Sequence, residues 1–140
     1  MLVSPHTHIE SALSASPVKA FLKKAKSLGR THIAITDHNM MASFMTVYSL
    51  AGKEGLKVCP GVEVYFKDPA CLLTGSGVMA KAKFYKITLF ADTQEKFKAL
   101  SSLISQSRED KVYLNEENFD LWNWQDLEKA AASGLICVGS

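Results

Sequence analysis

The stretch His32-Ile33-Ala34-Ile35-Thr36-Asp37-His38 decides how this chain is read. Ile33-Ala34-Ile35 is an unbroken apolar run, as expected of a strand covered on both faces in a parallel sheet. It leads directly into Thr36-Asp37-His38, so polar side chains stand at the carboxyl end of that strand. In α/β proteins that edge is where sites are built.

Outward from this strand, helix and strand signals alternate. Ser16-Pro17 is a helix opening, because Ser caps and Pro fits the first helical position. Val18, Phe21, Leu22, Ala25 and Leu28 then recur at the spacing of one buried helix face, with Lys19, Lys23, Lys24 and Lys26 mostly off it. Gly29 stands where a left-handed terminal residue is wanted. A second helix is expected over Met41 to Glu54, with Phe44, Val47, Tyr48 and Ala51 inward and Gly55 ending it. Lys57 to Pro60 and Val62 to Phe66 read as strand segments flanking Gly61. Lys67 to Lys81 reads as a flexible loop, and Phe84 to Phe90 as a strand. Asp92-Thr93-Gln94-Glu95 has capping-box spacing ahead of Phe97, Leu100 and Ile104. Arg108 to Asp120 reads as polar and irregular. Asn123 caps a last helix that ends at Gly134, and Leu135 to Val138 is a final strand. The alternation predicts an α/β fold with a mainly parallel sheet. A final strand with no covering helix suggests a piece of something longer, with an exposed edge open to a second copy of the chain.

Composition sets the outer limits. The chain has 140 residues, 47% of them apolar and 21% charged, with 16 basic and 14 acidic side chains. This suits one domain over residues 1–140 and excludes a disordered tail or fibrous repeat. No apolar run approaches the ~18 residues of a membrane span, and the first residues lack the pattern of a signal peptide. A net charge of +2 is too balanced to mark nucleic-acid binding by itself. Cys59, Cys71 and Cys137 form no Cys-x-x-Cys pair and read as buried or half-buried thiols of a reducing cytoplasm.

The chain has four histidines. His6 and His8 are two residues apart, so on an extended backbone both rings point the same way. Two imidazoles so placed can reach one metal at about 2.0–2.1 Å. His38 ends the deciding strand. Glu63 lies in the apolar neighbourhood of Pro60-Gly61-Val62, where a carboxylate needs a cationic partner. A lone His-x-His is a weak signal, and Glu63 alone would be satisfied by a lysine. The three features together, each beside an apolar strand, are more specific. His32 begins its strand, away from the others, and reads as structural.

His6-Thr7-His8, Ile35-Thr36-Asp37-His38 and Pro60-Gly61-Val62-Glu63-Val64-Tyr65 resemble the first motifs of the polymerase and histidinol phosphatase (PHP) domain. The likeness is to the PHP domain at the N-terminus of bacterial-type DNA polymerase III alpha subunits, and it runs over essentially the whole chain. Glu10-Ser11 with the downstream Ser16-Pro17 is more similar to phage-borne versions. The resemblance implies a distorted (β/α) barrel, incomplete in this chain, with zinc, manganese or iron at the carboxyl ends of the strands. It implies His6, His8, His38 and Glu63 as metal ligands, and Asp37 as a residue orienting an imidazole.

The chemistry so implied is phosphodiester hydrolysis between two metals about 3.5–4 Å apart, as in a 3′–5′ exonuclease. The resemblance also implies DNA and polymerase or exonuclease subunits as partners, in the cytoplasm of a bacterium or a phage-infected host. Two departures weaken the site. Ala12-Leu13-Ser14-Ala15 stands where many members carry an acidic residue or His. Lys86 stands where cellular polymerases often have a His. No His follows His38, so the later family motifs are missing and the site is half complete. The expectation is weak metal binding and negligible hydrolysis by this chain, with Lys86 pairing to Glu63 in place of a metal. The alternatives are a stand-alone phosphatase of the histidinol phosphatase type, or a catalytically dead docking module.

Overall fold

The computed structural model describes residues 3–4, 17–67, 84–107, 111–114 and 117–139. His6, His8, Cys71 and the loop expected between residues 68 and 81 lie outside them.

Strand β1 (Val3–Ser4) and helix α1 (Val18–Ser27) lead to β2 (His32–Ile35), then to α2 (Phe44–Lys53) and the long strand β3 (Lys57–Lys67). Val18, Leu22 and Ala25 of α1 and Val47 and Ala51 of α2 bury one apolar stripe against Ile33 and Ile35 of β2. Burial of this kind, at about 25 cal/mol per Å² of apolar surface, is what holds each short helix in place. Gly29 and Gly55 end the two helices with φ of 69° and 74°, which a Cβ would oppose. Leu28 and Tyr48, expected inward, are more than half exposed, because each falls beyond the edge of its helix's buried stripe. Helix α2 starts at Phe44 rather than Met41, since Asn39, at φ 46°, and the turn at 42–43 use the intervening residues.

Strand β3 is the spine. One edge pairs antiparallel with β4 (Phe84–Phe90) over Gly61 to Lys67. The other edge pairs parallel with β2 over Lys57 to Pro60 and with β6 (Glu117–Trp122) at Tyr65 and Phe66. Strand β5 (Lys111–Leu114) forms a hairpin with β6, and β7 (Ile136–Gly139) pairs antiparallel with β4. The β1–β2, β2–β3 and β3–β6 pairs are parallel; β3–β4, β4–β7 and β5–β6 are antiparallel. The sheet is therefore mixed, where a mainly parallel one was expected. The β5–β6 hairpin occupies the segment read as irregular. Its period-two signal, Val112 and Leu114 then Phe119 and Leu121, is diluted by Asn and Glu between the runs.

A second core lies between β3, β4 and the helices α3 (Gln94–Ser107) and α4 (Trp124–Ala132). It is built from Val62, Val64, Leu89, Leu100, Ile104 and Trp122. The Trp122 indole Nε1 has no hydrogen-bond partner among the described residues. Thr93, not Asp92, caps α3: its Oγ1 accepts from the Lys96 amide at 3.3 Å, while Asp92 pairs with the Lys96 ammonium at 2.6 Å. Asn123 caps α4 as expected, and Asp126 completes a capping box with it through reciprocal bonds of 3.0 and 3.1 Å. All four residues of β7 are exposed, so Cys137 stands in solvent rather than buried, and Cys59 is half-buried.

Candidate functional site

The site begins with register. Ile35 pairs with Pro60, and three residues later His38 pairs with Glu63 on the same parallel ladder. The Glu63 amide donates to the Asp37 carbonyl at 3.1 Å, and the Asn39 amide donates to the Glu63 carbonyl at 3.0 Å. These two bonds carry the ladder past the end of β2. Asn39 then turns the chain with a left-handed backbone that Asn tolerates.

Side chains alternate across a strand, so Gly61, Glu63 and Tyr65 share one face of β3 while Val62 and Val64 enter the core. Lys86 stands opposite Tyr65 and Thr88 opposite Glu63 on β4. His38, Glu63, Tyr65, Lys86 and Thr88 thus come from three adjacent backbones onto one surface. Gly61 clears room for it: an added Cβ would lie 3.0 Å from the Thr36 methyl and 2.9 Å from the Leu89 carbonyl oxygen.

Glu63 is the centre. Its side chain is 3% exposed, and its Oε1 lies 2.9 Å from His38 Nε2 and 2.9 Å from Lys86 Nζ. The hydrogen bond to Glu63 holds the Lys86 ammonium above its ordinary pKa, against a smaller opposing effect of burial. The Tyr65 ring stacks on His38 with centroids 5.2 Å apart and planes within 6°, and Lys86 Nζ sits 5.1 Å from the same ring's centroid. Tyr65 therefore supports both partners of Glu63. Its signal in the sequence is its place two residues beyond Glu63, on the same face of a strand. Asp37, out of phase with His38, accepts a hydrogen bond from the Ser43 hydroxyl at the start of α2. His32 lies at the opposite end of β2, where its Nδ1 is 2.9 Å from Thr31 Oγ1.

Among the described residues, Lys86 competes with any divalent cation for Glu63. The Glu63 oxygen that would bind one already holds an ammonium and an imidazole nitrogen, and Lys86 neutralises its charge. Among the described residues no three His, Cys, Asp or Glu side chains gather at one point. What the arrangement does chemically is give a buried carboxylate a lysine ammonium and an imidazole nitrogen as partners.

Comparison with known proteins agrees with this architecture. A profile of the PHP domain matches residues 5–139. The chain is 30% identical over 139 residues to the DNA polymerase III subunit alpha of Borreliella burgdorferi, matching 96% of this chain and 12% of that protein. It is 36% identical over 107 residues to the corresponding subunit of Buchnera aphidicola, matching 73% of this chain and 8% of that protein. The chain thus spans only a small part of the curated relatives it matches. Among solved structures, a protein assigned as a metal-dependent phosphoesterase from Bifidobacterium adolescentis aligns with a TM-score of 0.55 at 18% identity, over 76% of this chain and 33% of that one. An amidohydrolase from Chromobacterium violaceum aligns with a TM-score of 0.52 at 21% identity over the same shares. The α/β architecture seen here is shared with both. With the profile matching nearly its whole length, this chain belongs to the PHP domain family.

Proposed function

We propose that this chain is the N-terminal PHP domain of a DNA polymerase III alpha-like replicative polymerase, with its 3′–5′ exonuclease site reduced to an ion-pair cluster. One observation carries the reading: Lys86 Nζ lies 2.9 Å from Glu63 Oε1, where a hydrolytic site would need the carboxylate free for a metal. His6 and His8 are the remaining proposed ligands. With Lys86 on Glu63, they retain at most a weak site for zinc, manganese or iron. Similarity to polymerase alpha subunits supports a place in DNA replication, in the cytoplasm, with DNA reached through the parent polymerase. The domain then serves mainly as a folded docking part for polymerase or exonuclease subunits.

Metal content of the purified chain tests this. Elemental mass spectrometry is expected to find well under one equivalent of zinc, manganese or iron, and more in Lys86→His. Nuclease activity on single-stranded DNA is expected to be negligible. Near-stoichiometric metal in the unaltered chain, lost in Glu63→Gln, would overturn the reading.

A further inference from the structure

The balanced net charge conceals a separation. Residues 17–57, which form α1, β2 and α2, carry seven of the sixteen Lys and Arg side chains but two of the fourteen carboxylates. One of those two, Asp37, is buried in the candidate site. The other, Glu54, is paired with Lys26 at 3.0 Å. The rest of the chain holds nine cations against twelve anions.

Three of the seven cations in residues 17–57 border one groove. Between α1 and α2 lies a depression of about 260 Å³ lined by Lys19, Leu22, Lys23, Leu50, Lys53 and Glu54. The Lys26–Glu54 bridge joins the two helices beside it and pairs the one carboxylate that lines the groove among the described residues. Lys19, Lys23 and Lys53 are exposed, and none carries an ion pair among the described residues.

From this we infer that the α1–α2 groove is a sequence-independent binding surface for the phosphodiester backbone of a nucleic acid. Lys19 and Lys23 are four residues apart, so they present charges about 6 Å apart along the helix axis. That is close to twice the ~3.4 Å axial spacing of charges on one nucleic-acid strand. Lys53 faces them across the groove. Leu22 is 1% exposed, so the apolar floor is confined to the partly covered Leu50 while the rim is cationic, and the groove offers more to a charged backbone than to the apolar anchor that a bound peptide ordinarily uses. Lysines act as point charges toward phosphate and read no base. This surface lies on the helical layer over β2 and owes nothing to the state of Glu63.

The test is fluorescence anisotropy of the full chain with a labelled 20-nucleotide single strand and the matching duplex, across a salt series. Three phosphate contacts predict a slope of log K against log salt of about −2 on the single strand and about −2.7 on the duplex. Lys19→Gln, Lys23→Gln and Lys53→Gln together are expected to abolish most of that slope and to weaken binding at least roughly tenfold at low salt. The control, Lys96→Gln, Lys98→Gln and Lys129→Gln, makes the same change in net charge elsewhere and is expected to keep the groove's affinity. An equal loss in both triple variants, or an unchanged slope in the first, overturns the inference. So does poly-glutamate binding that depends on the three groove lysines in a chain with no affinity for either DNA, since the surface then belongs to an acidic protein. Circular dichroism of each variant keeps loss of fold distinct from loss of binding.

Discussion

His38 stands to Glu63 in the same register in which Ile35 stands to Pro60, so the candidate site is an extension of the β2–β3 ladder. Its geometry is set by backbone pairing, and whatever disturbs that pairing disturbs the site. Gly61 is the exposed point of this dependence. A Cβ there would lie 2.8 Å from a Phe90 ring carbon, 2.9 Å from the Leu89 carbonyl oxygen and 3.0 Å from the Thr36 methyl. Gly61→Ala is expected to destabilise the fold by about 1–3 kcal/mol, as overpacking does. Gly52, inside α2, is the contrast, because a methyl added there would meet nothing within 4 Å. Gly52→Ala is expected to stabilise by about 0.5–1 kcal/mol. Urea melts of the two variants check both signs.

Glu63 is buried, and Lys86 is the permanent cation beside its Oε1. Lys86→Met therefore leaves a carboxylate short of a cation and is expected to cost about 1–3 kcal/mol. Adding Glu63→Gln removes the uncompensated charge, so the double variant is expected to be more stable than Lys86→Met alone. A double-mutant cycle with no coupling would show that the contact contributes nothing to the fold.

The α4 capping box satisfies two backbone donors with two side chains. Asn123→Ala is expected to destabilise by about 0.5–2 kcal/mol, and Asn123→Ser by much less. Thermal melts of the pair distinguish loss of the cap from loss of the side chain's bulk.

The Lys96 hydrogen bond holds the Asp92 carboxyl below its ordinary value of 3.8. A carboxyl depressed in the folded state adds stability above pH 3.8, and that contribution fades as pH falls through the lower folded value. Asp92→Asn is expected to lower stability slightly at neutral pH, to make no difference at pH values below the folded value, and so to flatten the acid limb of the stability curve. Because the Asp92–Lys96 pair lies at the surface, raising the salt concentration is expected to shrink the difference.

The local signals that proved legible are those with a strong chemical cause. Pro17 and Gly29 bracket α1, Asn123 and Gly134 bracket α4, and the polar end of the Ile33–Ile35 strand marks the site. The mixed direction of the sheet was not legible, because a strand signal such as Phe84–Phe90 looks the same whichever way its neighbour runs. The β5–β6 hairpin was lost for a related reason, its alternation being only two apolar residues long on each side. Within the site, Glu63 and His38 stood out by residue type. Tyr65 did not stand out by type; the sequence placed it on the face of Glu63, and the register that sets it opposite Lys86 gave the ring its two neighbours.

Trp122 is fully enclosed, whereas Trp124, two residues later, is half in water. The enclosed indole, with no hydrogen bond to its nitrogen among the described residues, emits at the blue end of the tryptophan range; the wet one emits further to the red. The chain therefore carries its own pair of fluorophores, one reading the interior and one the surface. Excitation at a single wavelength separates collapse of the α3–α4 core from events at the helix exterior, with no dye and no substitution.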